Sequence, residues 1–160
     1  MPGWGDFATV MGAGTAALLG LLFVAVSIRV EAIARSAELR NRSAQTVALL
    51  LTGLLAAALL AVPGQHVWAL GVEYLALVLV VSGVAILLDR RSGVRRGSAI
   101  GRRLDSTNPT LVTCSLLLAA AVVLILGHTD GIYVLVPALL AVLIGGVLNA
   151  WLILVRLTGS

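Results

Sequence analysis

Lysine is missing from this chain, cysteine occurs once, and charged residues fill only 11% of its 160 positions. Each scarcity excludes something. A single thiol, Cys114, rules out an intramolecular disulfide and a cysteine cage for a metal. The charged fraction is less than half the roughly 25% usual in soluble domains, so there is too little polar surface to wrap a core in water. Aromatic residues make up 4% of the chain and do not alternate with its basic ones. The isoelectric point near 10.6 therefore does not read as nucleic-acid binding. There is no GxSxG, HExxH or CxxC and no phosphate-cradling glycine loop, which predicts a non-enzymatic protein with no cofactor and no resident metal.

What the chain has is apolar length. It is 60% hydrophobic, with a mean hydropathy of +1.09. Five apolar runs stand out, at 7–28, 46–62, 67–88, 110–126 and 132–155. A span needs about 17–25 residues at a rise of 1.5 Å each, so all five qualify, the second and fourth only just. Backbone groups in hydrocarbon must be satisfied within their own segment, so each run is predicted to be helical. Barrel strands would instead alternate polar and apolar residues. The expected fold is a single all-α integral membrane bundle of five transmembrane helices over 1–160.

The eleven basic residues are all arginine, and their placement orients the bundle. Four lie in the first inter-run segment (Arg29, Arg35, Arg40, Arg42), six in the loop 89–109 (Arg90, Arg91, Arg95, Arg96, Arg102, Arg103) and one in the tail (Arg156). The N-terminal tail, "PGQH" and "GHTD" carry none. The positive-inside rule then puts the N-terminus outside and the C-terminus in the cytoplasm. Trp4, Phe7, Trp68, Tyr74 and Tyr133 fall near the outer interface and Trp151 near the inner one, as an aromatic belt would. "MPGWGDF" has no positive charge ahead of the first run, so a cleaved signal peptide is not expected.

Several local signals can be read. "STNPT" offers an N-cap before Pro109 at a first helical position. Pro63–Gly64 turns the chain after the second run, and Pro137 should kink the last helix. "RVEAIARSAELRNR" lacks Gly and Pro and pairs Glu31 with Arg35 and Glu38 with Arg42 at i,i+4, which predicts that the first helix continues to about Arg42. A shift of 63 residues aligns Leu54–Ala58 with Leu117–Ala121 and Gly64 with Gly127. That offset fits either an ancient repeat or shared composition.

Four groups of residues are candidates for function. Glu73 is a carboxylate about 9 Å into its run, where hydrocarbon makes charge costly. Together with His66, seven residues earlier, and His128 on the other arginine-free loop, it suggests an ion or proton pathway opening outward. The structural alternative is a carboxyl group bonded to a neighbouring helix near the headgroups. Asn149 is a second pathway candidate, or else a clamp between helices worth about 0.6–2 kcal/mol. Ser27, Thr52, Ser82, Thr113 and Ser115 can each bond their own helix backbone. The third group comprises ladders of small residues: Ala8, Gly12, Ala16 and Gly20; Gly53, Ala57 and Ala61; Ala141, Gly145 and Asn149. They let helices approach closely, within one chain or between copies, and so predict a homo-oligomer. The arginines of loop 89–109 (Arg90, Arg91, Arg95, Arg96, Arg102, Arg103) are candidates for contact with anionic inner-leaflet lipid or with a protein partner.

"GTAALLGLLFVAVSIRVEAI" followed by "LLAVPGQ", over about the first 65 residues, resembles a group of small uncharacterised multi-spanning membrane proteins of actinobacteria. The resemblance implies a multi-pass protein of the bacterial inner (plasma) membrane and implies no activity. The residues themselves predict a channel-like or transport path for a small ion or solute. The alternative is an accessory or scaffold subunit that docks a partner through its helix extension and arginine loop.

Overall fold

A computed structural model describes residues 4–28, 30, 37–92 and 109–158. Among these residues every regular element is an α-helix: α1 (Trp4–Ile28), α2 (Ala37–Ala61), α3 (Val67–Ser92), α4 (Pro109–Ile125) and α5 (Gly131–Thr158). Four of the five contain a stretch long and apolar enough to cross a membrane: Trp4–Ile28, Ser43–Ala61, Val67–Val84 and Gly131–Trp151. The apolar part of α4, Thr110–Ile125, is shorter. At 17 residues α4 measures about 25 Å, below a hydrocarbon thickness of about 30 Å.

Turn chemistry decides where the helices stop. Gly127 has φ 85°, a left-handed conformation that a Cβ would strain. Its amide donates to the Leu124 carbonyl at 3.0 Å and the next amide, His128, to Val123 at 3.2 Å. That 5→2 and 6→1 pair is the Schellman cap, which satisfies carbonyls the helix end would leave bare. At the end of α2, Pro63 cannot donate and Gly64 takes φ 71°, the proline–glycine order of a type II turn. Pro109 opens α4, where its missing N–H costs nothing. Pro137 lies inside α5, and the helix is continuous through it.

The helices pack as an antiparallel set around α2, which touches all four others. Its most extensive neighbour is α1, followed by α5 and then α3, while α4 is held between α3 and α5. A Cβ on Gly12 would meet Ala57 at 3.5 Å, and one on Gly53 would meet Thr15 at 3.0 Å, so α1 and α2 run in opposite directions. On its other side Gly53 lies against Val142 (2.5 Å from the same added carbon), and Gly146 lies against Leu50. Gly71 admits the backbone of α4 in the same way, with Ile125 N at 2.9 Å and Ala121 O at 3.1 Å. These approaches close a core of Leu117, Ala120, Ala121, Leu124, Leu135, Ala138 and Leu139, none more than 1% exposed. The outer surface is equally apolar. Val10, Leu21, Phe23, Leu79, Val80, Leu111 and Ile144 all stand exposed.

One expectation fails here. Ala37–Arg42 belongs to α2 and runs without a break into its apolar stretch, so α1 does not continue to Arg42. The i,i+4 pair Glu38–Arg42 was a sound helix signal, but it lies on the following helix. Position 29 and positions 31–36, with Glu31 and Arg35, lie outside the described residues.

Candidate functional site

The turns 62–66 and 126–130 and the start of α1 meet at one end of the bundle. Trp4, in the first turn of α1, stacks edge-on against Phe7 (5.8 Å between ring centres) and Tyr133 (5.3 Å). It also walls a crevice of about 240 Å3 with Gly5, Leu60, Ala61, Val62, Pro63, Gly64, Gln65 and Leu70. The crevice lies where α2 ends and the proline–glycine turn leads on to α3.

Glu73 lies beside this crevice, half-buried and two turns into α3. The side-chain amide of Gln65 donates to its Oε2. That bond answers how a carboxylate is kept inside an apolar run: the turn before α3 folds a donor back over it. It also fixes the amide, because a carboxylate accepts only from the NH2 end and Oε1 of Gln65 is left for other partners. Glu73 was legible in the sequence and its partner was not. The available signal was a lone amide in the turn eight residues ahead of a lone acid.

The histidines are not drawn into this pair. His66 and His128 are both exposed, and it is their backbone carbonyls that start the next helices, accepting from Leu70 at 3.1 Å and Gly131 at 3.2 Å. Among the described residues no three His, Cys, Asp or Glu side chains are grouped to hold a metal ion.

Asn149 lies far along α5, half-buried, next in the ladder of contacts that pairs Val142 with Gly53 and Gly146 with Leu50. One further turn along the antiparallel seam puts Asn149 at the level of Thr46. Glu73 and Asn149 therefore belong to opposite ends and are not brought together, and the fully buried Tyr74, Leu117, Leu135 and Leu139 fill the core.

The small-residue ladders divide. Gly12, Gly53, Ala57 and Gly145 face other helices of the same chain, and Ala141 is half-buried. Ala16 is exposed, and Gly20 is also exposed with nothing within 4 Å of an added Cβ, so these two face outward. Close approaches at Gly71, Gly131 and Gly146 were missed: Gly71 has no small residue four positions away, and Gly131 and Gly146 have one each, Gly127 and Ala150, too few to stand out as a ladder. Arg90 and Arg91 fall on the last turn of α3, and Arg95, Arg96, Arg102 and Arg103 lie outside the described residues.

Two expectations about side chains need correction. Tyr74 is not a belt residue. It has no exposure, and its hydroxyl donates to the Ala56 carbonyl at 2.7 Å. Trp68 and Tyr133, by contrast, are more than 60% exposed. Of the hydroxyls, Ser27, Thr52 and Ser115 do bond their own helices. Ser82 instead bonds Cys114 of the neighbouring helix, and the buried Thr113 hydroxyl has no partner.

No protein-family model, no curated protein and no solved structure matches this chain.

Proposed function

We propose that this is a non-enzymatic multi-pass protein of the bacterial inner membrane, with five spans, its N-terminus outside and its C-terminus in the cytoplasm. It works as a homo-oligomer that provides a path for a small ion or solute. Exposed apolar side chains over all five helices support the membrane reading, because soluble monomers do not carry such a continuous surface. Eleven arginines confined to 29–42, 90–103 and 156, with none in the two turns that share an end, support the orientation. Arginines on the cytoplasmic side would attract anionic lipid. A core closed by large apolar side chains argues that the path runs between copies, along helix faces such as the one bearing Ala16 and Gly20. The observation that carries the site is the Gln65–Glu73 pair beside the Trp4 crevice, a polar position maintained at the end of an apolar bundle.

The test is flux in sealed proteoliposomes loaded with potassium and a pH-sensitive dye. Wild-type protein should pass protons or potassium, and Glu73→Gln should cut the rate about tenfold or more, as loss of a charged pathway group does. Flux unchanged in Glu73→Gln would remove Glu73 from the path. No flux at any protein density would remove the path itself. The accessory-subunit reading draws on α1, which leans mainly on α2 and leaves its far face open. It would be preferred if flux were absent and a stoichiometric partner co-purified.

A further inference from the structure

We propose that the crevice under Trp4 binds a small organic ammonium ion. This rests on the reading of Glu73 and Gln65 as the polar site of this end, and adds the chemical class of its ligand. The groups on the crevice are acceptors. The Gln65 amide nitrogen is occupied by Glu73, so its oxygen is the free end. Leu60 and Ala61 belong to the last turn of α2, where a helix leaves its final carbonyls unpaired and carries its negative pole. Among the described residues the bond beyond this helix end is Val62 N to the Leu59 carbonyl at 3.3 Å. Glu73 adds its carboxyl oxygens one bond behind Gln65, and no arginine occurs anywhere in 1–28, 43–89 or 104–155 to offer an anion a partner. A cation is thus favoured over an anion or a neutral solute.

The walls select the kind of cation. Trp4, Leu60, Val62, Pro63 and Leu70 are apolar or aromatic. A hard metal ion asks for about six or more oxygens or retained waters, which this lining cannot supply. An alkylated ammonium carries its charge inside a greasy shell. It suits apolar walls and gains from the indole, the best of the aromatic cation partners. A volume of about 240 Å3 accommodates a small species.

Calorimetric titration of the full-length protein in phospholipid-free detergent, with choline as probe, tests the assignment. Its uncharged carbon analogue, with tert-butyl in place of trimethylammonium, serves as control. Choline should bind saturably and the analogue at least about tenfold more weakly, with Trp4→Leu losing about three- to thirtyfold in affinity and Trp4→Phe much less. Glu73→Gln should also weaken choline, while Trp68→Phe, at an exposed site off the crevice, should not. Equal binding of choline and its analogue overturns the proposal, as does unchanged affinity in both Trp4→Leu and Glu73→Gln. Nanodiscs separate the two sources of this headgroup chemistry. Choline affinity lost in phosphatidylcholine but kept in phosphatidylglycerol identifies a lipid headgroup as occupant, and affinity kept in both identifies a free solute. Binding without liposome flux leaves this site standing and removes the path, whereas flux without binding does the reverse.

Discussion

Tyr74 reaches from α3 to the carbonyl of Ala56, five residues before the end of α2, donating at 2.7 Å from a position with no solvent access. The carbonyl keeps its intrahelical bond, so Tyr74→Phe removes one buried hydrogen bond and orphans no acceptor. The expected loss is about 0.5–1.5 kcal/mol, read as a lower midpoint in detergent unfolding. Tyr74→Ala also empties the ring's volume and should cost about 3–5 kcal/mol. Equal stability of wild type and Tyr74→Ala would refute the clamp.

Thr113 presents the opposite case. Its hydroxyl is fully buried and without a partner, so it is desolvated for no return. Thr113→Val keeps the shape and removes the group. It should leave stability unchanged or raise it by about 1–3 kcal/mol. A clear drop in thermal midpoint would mean the hydroxyl has a role in the folded protein.

Glycine positions should separate by what lies opposite them. Gly71→Ala drives a methyl against backbone atoms of α4 that cannot swing away and should cost about 1–3 kcal/mol. Gly20→Ala meets nothing and should gain up to about 1 kcal/mol of helix propensity. Gly20→Phe tests self-association. The monomer tolerates it, so a shift of the detergent-solubilised protein to smaller size would place this face between copies, and an unchanged size would remove it from the interface.

Orientation can be read from thiols. In a Cys114→Ser background, single cysteines at Gly64 and Thr129 should react with a membrane-impermeant maleimide on intact cells, and one at Ser98 only after lysis. Labelling of Ser98→Cys from outside would reverse the assignment.

Helix number and the turns were legible because they are written locally, in run length, Pro63–Gly64, Gly127 and Pro109. The start of α2 was not. Residues 37–42 have ordinary helix-forming composition, and composition cannot say which of two consecutive helices owns them. Tyr74 was misassigned for a similar reason. Distance along the helix gives depth, but the rotation that turns Tyr74 inward and Trp68 outward depends on where the neighbours pack. Glu73 announced itself as a charge in an apolar run, while its partner Gln65 is an ordinary turn residue until the turn is folded. Tight contacts at Gly71 and Gly146 were hidden because each meets a large residue, Ile125 or Leu50, and not another small one.

Most of the packing joins helices adjacent in the chain: α1 with α2, α3 with α4, and α4 with α5. Such neighbours can associate as each is synthesised, without waiting for distant sequence. The main exception is the seam between α2 and α5, where Gly53 meets Val142 and Gly146 meets Leu50. That seam must stay open until the C-terminal helix has been made. Crowding it at Gly146, whose added carbon would meet Leu50 alone, should therefore spare early insertion and act on the final locking of the bundle, so that a Gly146 variant shows its defect as faster unfolding.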